Sequence, residues 1–212
     1  MKHWRGPDDR RSYHHGNLKE ALIEAARGFI AQRGLLGFTL VEAAKLVGVT
    51  PAALYRHFRG REALVAEVAF RGFTQLSERL ARSLAGSGTP IERFTRMGEA
   101  YLDFAEKEPG YYAAMFAPAP VDGGGPEGGP PLPTTRPGSA FDLLVKALEA
   151  TFPDGFGTVD RKFVALEVLA LAHGLAMLEM SSQLPRGPGL PGKHEVLRAG
   201  VLALVYGASA RR

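Results

Sequence analysis

The chain has 212 residues, which fits one medium domain or two small ones, and 45% of them are hydrophobic, enough for a sizeable core. It contains no cysteine, no 18-residue apolar run and no signal-peptide pattern, so we expect no disulfide, no membrane partner and a cytoplasmic location. Residues 1–62 carry a net charge of +5 and residues 63–212 a net charge of −1, which places the positive charge where phosphate contacts would need it.

The first 60 residues predict a basic arm followed by a compact helical unit. Residues 1–12 are polar, and we expect them to form a flexible arm. A helix is predicted over residues 17–33, with Asn17 as its N-cap and Gly34 as its stop.

The stretch 39–58 has the spacing of two short helices joined by a tight turn. Thr39 followed three residues later by Glu42 matches a capping box. Gly48 suits the positive φ of a sharp helix end, and Thr50 is a good N-cap for the next helix. Such a unit exists mainly to place its second helix in the major groove of DNA. The alternative is an ordinary helical hairpin in a packed domain.

Leu54 and Phe58 lie four residues apart, so we expect them to face the core. The opposite face begins with small residues, which permit close approach to a groove, and continues with hydrogen-bond donors. The predicted reading surface consists of Thr50, Pro51, Ala52, Ala53, Tyr55, Arg56 and His57.

The remainder of the chain predicts helices and one long loop. Residues 117–138 are rich in Gly and Pro and form the loop. The helices are expected near 61–84, 90–106, 109–116, 139–151, 160–182 and 193–209. The fold class is therefore all-α, with a helix-turn-helix domain at 13–60 joined by a long helix to a regulatory and dimerisation domain within 61–212.

The chain resembles the TetR family of transcriptional regulators. The resemblance rests on Y-H-H-G-N-L at 13–18, A-A at 25–26, F-T-L at 38–40 and A-A-L-Y-R-H-F at 52–58. In addition, Ala172-His173-Gly174 is similar to the Trp-His-Gly signature of one subgroup, with Ala172 in place of the Trp. The alternative for His173 is a hydrogen-bonded core histidine.

The resemblance implies a homodimer that binds a near-palindromic operator, most often as a ligand-responsive repressor. The last two helices would pair with those of a second copy in a four-helix bundle, and their apolar residues agree with this. The dimerisation residues are predicted to be Phe163, Leu166, Leu169, Leu197, Val201 and Leu204. The alternative is that both helices are core helices of a monomer.

We expect Tyr55 and His57 to contact phosphates, and Arg56 to reach either a guanine edge or a phosphate. Thr39 and Arg61, each at a helix N-terminus, are expected to contact the DNA backbone. Further contacts are predicted from Arg10, Arg11, His14 and His15 of the arm.

Aromatic and Met residues at helical spacing predict an apolar ligand cavity, although such stripes are usually plain core. The predicted pocket residues are Met97, Tyr101, Phe104, Tyr111, Met115, Phe116, Phe141 and His173. An apolar effector would suit them.

Two other classes compete. An enzyme is disfavoured because no H-E-x-x-H, G-x-S-x-G or phosphate-binding Gly-rich pattern occurs, so we expect no metal and no cofactor. A helical protein-interaction adaptor, or a small-molecule-binding protein that does not bind DNA, leaves the basic helix-turn-helix unit unexplained.

Overall fold

The computed structural model describes residues 18–117 and 137–210, which form nine α-helices and no β-strand. The predicted arm residues Arg10, Arg11, His14 and His15, and most of the predicted loop, lie outside these ranges. The helices are α1 (Leu18–Arg33), α2 (Leu40–Val47), α3 (Pro51–Tyr55), α4 (Arg61–Ala85), α5 (Pro90–Lys107), α6 (Pro109–Met115), α7 (Ala140–Thr151), α8 (Arg161–Met180) and α9 (Lys193–Ala210). The predicted all-α fold is confirmed.

Local capping chemistry determines the first three helices. Thr39 caps α2 in a reciprocal capping box with Glu42. Gly48 ends α2 with a φ of 78°, a conformation that favours glycine. Gly34, with a φ of 76°, ends α1 and donates its N–H to the Ile30 carbonyl. These predicted helix ends are confirmed.

The α3 helix is shorter than the Leu54–Phe58 spacing implies. Regular helix ends at Tyr55, and Arg56 and His57 lie in the turn that follows. The N–H groups of His57 and Phe58 still bond to the Leu54 carbonyl, at 2.9 and 3.0 Å. Phe58 therefore reaches the core from a turn rather than from a helix.

α6 is packed between α1 and α4 with little free space. A Cβ added to Gly110 of α6 would lie 2.3 Å from the Arg27 carbonyl oxygen of α1. A Cβ added to Gly72 of α4 would lie 2.7 Å from the Met115 side chain of α6. Because each glycine lets the neighbouring helix approach to a distance that a side chain would prevent, α6 is held closely against both helices.

The C-terminal part of the chain packs α5, α7, α8 and α9 together. Phe94, Met97, Tyr101 and Phe104 of α5 are buried, as their spacing predicts. Ile91, three residues before Phe94 in the first turn of α5, is exposed.

α8 is long and apolar enough, by length and composition alone, to cross a membrane. Core helices of other proteins pass the same test. A search for an 18-residue run without charges therefore does not detect this helix, in which Glu167 and Glu179 are the only charged residues after Lys162. The role of α8 in this fold depends on which of its sides packs against other helices.

Candidate nucleic-acid interface, dimer face and effector cavity

The polar side of the α3 segment is open to solvent. Thr50, Pro51 and Ala52 at its beginning are exposed, and Ala53 is half-buried. The three donors that follow are also exposed: Tyr55, Arg56 and His57. Leu54 and Phe58, at 0% and 3% exposure, hold the opposite side in the core, as their spacing predicts. The segment therefore presents a continuous surface that another molecule can reach.

The orientation of α3 relative to α2 is fixed by hydrogen bonds at the turn. The Val49 N–H bonds to the Ala44 carbonyl at 2.9 Å, which closes the end of α2. The Thr50 hydroxyl accepts the Ala53 N–H at 3.3 Å and begins α3. Because Ala44 is completely buried and small, α3 crosses close to α2.

Thr39 lies at the N-terminus of α2 and is exposed. Its hydroxyl and its backbone N–H both bond to the Glu42 carboxylate, at 3.0 and 2.8 Å. These bonds, with the Thr39 N–H contributing most, lower the pKa of Glu42. Glu42 also accepts a hydrogen bond from Arg33 at 3.0 Å. The Thr39 hydroxyl is therefore used in capping, since it donates to the Glu42 carboxylate and accepts the Glu42 N–H at 3.2 Å, while the residue itself is exposed.

Arg61 begins α4, and its guanidinium lies 5.0 Å from the centre of the Phe38 ring. One of its nitrogens, Nη2, is buried and has no hydrogen-bond partner among the described residues. The helix N-terminus beside it favours negative charge. Nη2 therefore faces the protein, and an anionic oxygen from outside would meet the remaining part of this half-buried guanidinium beside the helix N-terminus.

The outward sides of α8 and α9 form an exposed apolar surface, which we call the α8–α9 face. Phe163 and Leu166, at 50% and 53% exposure, lie on it. Leu204 is half-buried at its edge, and Leu169 and Val201, also half-buried, line the cavity described below. Four exposed members were not predicted, although their helical spacing was the available signal: Met177, Leu178, Leu202 and Tyr206.

Leu197 was predicted on the α8–α9 face, and this is wrong. Leu197 is only 5% exposed, and a Cβ added to Gly98 of α5 would lie 3.0 Å from its Cδ2 atom. It therefore packs inward onto α5.

Gly174 of α8 and Gly207 of α9 face outward, where an added Cβ would meet no atom within 4 Å. These glycines leave room for a close neighbour.

A cavity lies between α5, α7, α8 and α9, with one residue from α4. Its empty volume is about 760 Å³, counted out to its open mouth. It is lined by Leu80, Ile91, Phe94, Thr95, Met97, Gly98, Glu99, Tyr101, Ala140, Leu144, Val168, Leu169, Ala172, His194, Leu197, Arg198, Val201 and Leu202.

Two of the predicted pocket residues, Met97 and Tyr101, line this cavity. The other six predicted residues do not line it: Phe104, Tyr111, Met115, Phe116, Phe141 and His173. Their own packing explains this, since Phe116 lies against the His173 ring at 4.3 Å and Phe104 is completely buried. The sequence identified the apolar stripe but not which side of it is hollow.

Tyr101 of the cavity lining shares hydrogen bonds with Tyr112 and His173, which do not line the cavity. The Tyr101 and Tyr112 hydroxyls are 3.0 Å apart, and the Tyr112 hydroxyl is 2.8 Å from Nδ1 of His173. Burial raises the pKa of Tyr101 to about 12 and raises that of Tyr112 further, whereas it lowers the pKa of His173. His173 is therefore a neutral, hydrogen-bonded histidine, which agrees with the alternative given for it from the sequence.

Ion pairs and hydrogen bonds connect α1 to the helices below it. The Tyr111 hydroxyl of α6 donates to Glu24 of α1 at 2.7 Å, and Arg27 donates to the same carboxylate at 2.8 Å. Arg71 of α4 forms a two-fold hydrogen bond with Glu20 of α1. The N-terminal unit is thus joined to both α4 and α6 by polar contacts.

Comparison with known proteins agrees with this architecture. Residues 22–68 match the family described as bacterial regulatory proteins, tetR family, and residues 94–204 match the tetracyclin repressor-like C-terminal domain. An uncharacterised HTH-type transcriptional regulator of Bacillus subtilis, YobS, is 34% identical over 101 residues. That match spans 48% of this chain and 52% of YobS.

Solved structures extend the likeness over nearly the whole chain. A protein of unknown function from Rhodococcus sp. RHA1 is 28% identical, with a TM-score of 0.69 over 93% of this chain and 98% of its own. The TetR-family regulator PfmR of Thermus thermophilus is 19% identical, with a TM-score of 0.59 over 87% and 97% of the two chains. The fatty acid degradation regulator FadR of Bacillus halodurans, at 11% identity, shares the fold with a TM-score of 0.64 over 89% and 98%.

Proposed function

The chain belongs to the TetR family of DNA-binding transcriptional regulators, and from this premise we propose that it acts in the cytoplasm as a homodimeric repressor. Its operator is a near-palindromic duplex. An effector bound in the cavity between α5, α7, α8 and α9, which we call the α5–α9 cavity, releases the protein from the operator. We further propose that residues 13–60 form the DNA-binding domain and that residues 61–212 regulate it and dimerise.

The observation that carries the proposal is the exposed polar side of the α3 segment. In a helix-turn-helix, the residues at the beginning of the second helix contact base edges and phosphates. Small Pro51, Ala52 and Ala53 permit close approach, and the exposed donors Tyr55 and Arg56 follow them. His57 and the arm residues Arg10, Arg11, His14 and His15 add contacts to the same duplex.

Phosphate contacts on either side of α3 fix its register on the DNA. Arg61 supplies one of them, supported by its half-buried position at the N-terminus of α4. Thr39 supplies another through the beginning of α2. The function of a protein-interaction adaptor does not require this combination of exposed donors and helix N-termini.

The homodimer forms through the α8–α9 face. Monomeric proteins rarely expose a large contiguous apolar surface, and residues of α8 and α9 at helical spacing make such a surface here. When two copies pair through the same face, each buries its own α8–α9 face, and the four helices form a bundle. The two-fold axis then presents two α3 segments to two half-sites of the operator.

Selection of bound duplexes from a random DNA pool tests the proposal. We expect a near-palindromic sequence to be recovered, with two half-sites whose spacing reflects the two-fold axis. Binding should weaken steeply as salt rises, because each phosphate contact releases a counterion. Recovery of no preferred sequence, or binding independent of salt, would contradict the proposal.

A further inference from the structure

The α5–α9 cavity has an apolar interior and a charged rim. The charged residues of its lining are Glu99, His194 and Arg198, and none of them is buried. Within the described ranges no charged residue is buried, whereas Phe94, Met97 and many of the other lining residues are. A molecule inside the cavity therefore meets mainly hydrocarbon and aromatic surface.

The charged residues of the rim already have ion-pair contacts. Nη2 of Arg198 lies 3.9 Å from Oε1 of Glu99, and Nε2 of His194 lies 3.7 Å from Oδ1 of Asp103. Arg198 and the His194 ring thus each lie near a carboxylate. An anionic ligand at the rim would meet these carboxylates, and an ionised group inside the cavity would be desolvated without a partner.

Tyr101 is the inner polar residue of the lining. The hydroxyl of Thr95, another polar member, already donates to the Ile91 carbonyl at 2.9 Å. The Tyr101 hydroxyl pairs with Tyr112, whose hydroxyl pairs in turn with the neutral His173 at Nδ1. If Tyr112 donates to Nδ1 and Tyr101 donates to Tyr112, the Tyr101 oxygen keeps lone pairs that can accept one more hydrogen.

We propose that the effector is an uncharged, mostly apolar molecule with one hydrogen-bond donor, which the Tyr101 oxygen accepts. This rests on the proposed role of the cavity as the effector site and names the chemical class that the site selects. Small-molecule sites are mostly apolar clefts with a few placed polar groups, and this cavity has that composition. The apolar lining supplies affinity, and the Tyr101 hydroxyl orients the ligand.

The charge requirement is tested with two fluorescent probes that share an anilinonaphthalene skeleton. N-phenyl-1-naphthylamine is uncharged and has one N–H donor, whereas 8-anilinonaphthalene-1-sulfonate adds a sulfonate. Titration of the full chain, without DNA, should give at least about tenfold tighter binding of the uncharged probe, because the sulfonate must be desolvated. Equal or tighter binding of the sulfonate would overturn the proposal and point to an anionic amphiphile with its charge on the rim.

The site of binding is tested with two neighbouring residues of α7. Leu144→Trp fills part of the cavity, whereas Leu143→Trp makes the same change at a half-buried position that does not line it. The first variant should lose binding of N-phenyl-1-naphthylamine at least about tenfold, and the second should keep it. If both variants bind as the wild type does, the probe lies elsewhere and the proposal fails. Should Leu144→Trp not fold, as judged by circular dichroism, Val168→Phe replaces it.

The hydrogen bond is tested with Tyr101→Phe, which keeps the ring and removes the acceptor. Affinity for N-phenyl-1-naphthylamine should fall about two- to tenfold, as expected for one hydrogen bond. Tyr111→Phe removes a hydroxyl that is bonded to Glu24 and does not line the cavity, so it should leave probe affinity unchanged. Unchanged affinity in Tyr101→Phe would contradict the role of Tyr101.

Operator binding is measured separately on each variant by fluorescence anisotropy. If the wild type binds operator but neither probe, the ligand class is wrong while the DNA-binding role stands. If the probes bind as expected but no operator is recovered, the proposed function fails while the cavity's preference stands.

Discussion

Tyr111 and Tyr112 are neighbours in α6, yet their hydroxyls bond in different parts of the molecule. The Tyr111 hydroxyl lies 2.7 Å from Glu24 of α1, in the N-terminal unit. The Tyr112 hydroxyl lies 2.8 Å from His173 of α8 and 3.0 Å from Tyr101 of the cavity wall. Because consecutive residues of a helix point in different directions, these two adjacent residues of α6 connect the cavity wall to α1 of the N-terminal unit.

Removing these two hydroxyls should affect stability unequally. Tyr112→Phe leaves buried Tyr101 and half-buried His173 with only a 3.5 Å contact between them, so we expect a loss of about 1–3 kcal/mol. Tyr111→Phe should cost less, since Glu24 is half-exposed and keeps its hydrogen bond from Arg27. Urea unfolding of both variants measures the difference. Equal losses would argue against the buried cluster as a distinct source of stability.

Acid should weaken the attachment of α1 to α4. The hydrogen bond from Arg71 is the main cause that lowers the pKa of Glu20 below its ordinary 4.5. A carboxylate with a lowered pKa in the folded state stabilises that state above the unfolded pKa, and this contribution is lost as pH falls through the folded pKa. Stability should therefore decline below about pH 4.5.

Thermal unfolding of Arg71→Gln at a series of pH values tests this expectation. The decline on acidification should be shallower than in the wild type, because Glu20 then has a more ordinary pKa. Arg82→Gln is the matched control, since its pair with Glu78 spans 3.9 Å and both side chains are exposed. Identical pH profiles for Arg71→Gln and the wild type would show that the Glu20 contact contributes nothing measurable.

Arg61 should contribute one phosphate contact and no sequence preference. Arg61→Ala should reduce the slope of log affinity against log salt concentration by about 0.9 and weaken operator and random DNA alike. Arg61→Lys keeps the charge and should keep the slope. The measurement is an anisotropy titration at several salt concentrations. An unaltered slope in Arg61→Ala would mean that the guanidinium serves only to cover Phe38.

A charge on the α8–α9 face should separate the dimer. Leu166→Glu places a carboxylate in the middle of a surface that pairing would bury, at a cost that the interface cannot compensate. Sedimentation should then give a single species near 22.8 kDa, with unchanged helicity. Leu36→Glu is the control, because Leu36 is exposed in the N-terminal unit. A dimer that persists in Leu166→Glu would place the interface elsewhere.

The sequence predicted the elements whose determinants are local. The capping box of Thr39 and Glu42, the positive φ at Gly48 and the inward side of Leu54 each depend on residues within four positions of one another. These same residues define the α3 surface. For that reason, fold class and candidate DNA interface were predictable without any tertiary information.

Contacts between distant residues were not predictable in the same way. Helical spacing alone does not say which of two apolar sides of α9 packs on α5, so Leu197 was assigned to the wrong side. Likewise, no local pattern indicates that Tyr112 meets His173, 61 residues away. The position of the cavity depends on such contacts, which is why only Met97 and Tyr101 of the predicted pocket residues line it.

The most direct test of the DNA-reading role of α3 is an operator titration of Arg56→Ala at fixed salt. Arg56 is exposed on α3's polar side, so its replacement should weaken binding to the selected operator by about 1–3 kcal/mol, roughly five- to 150-fold, without loss of helicity. Arg82→Ala, an exposed arginine near the far end of α4, should bind as the wild type does. Operator affinity in Arg56→Ala equal to that of the wild type would contradict the account.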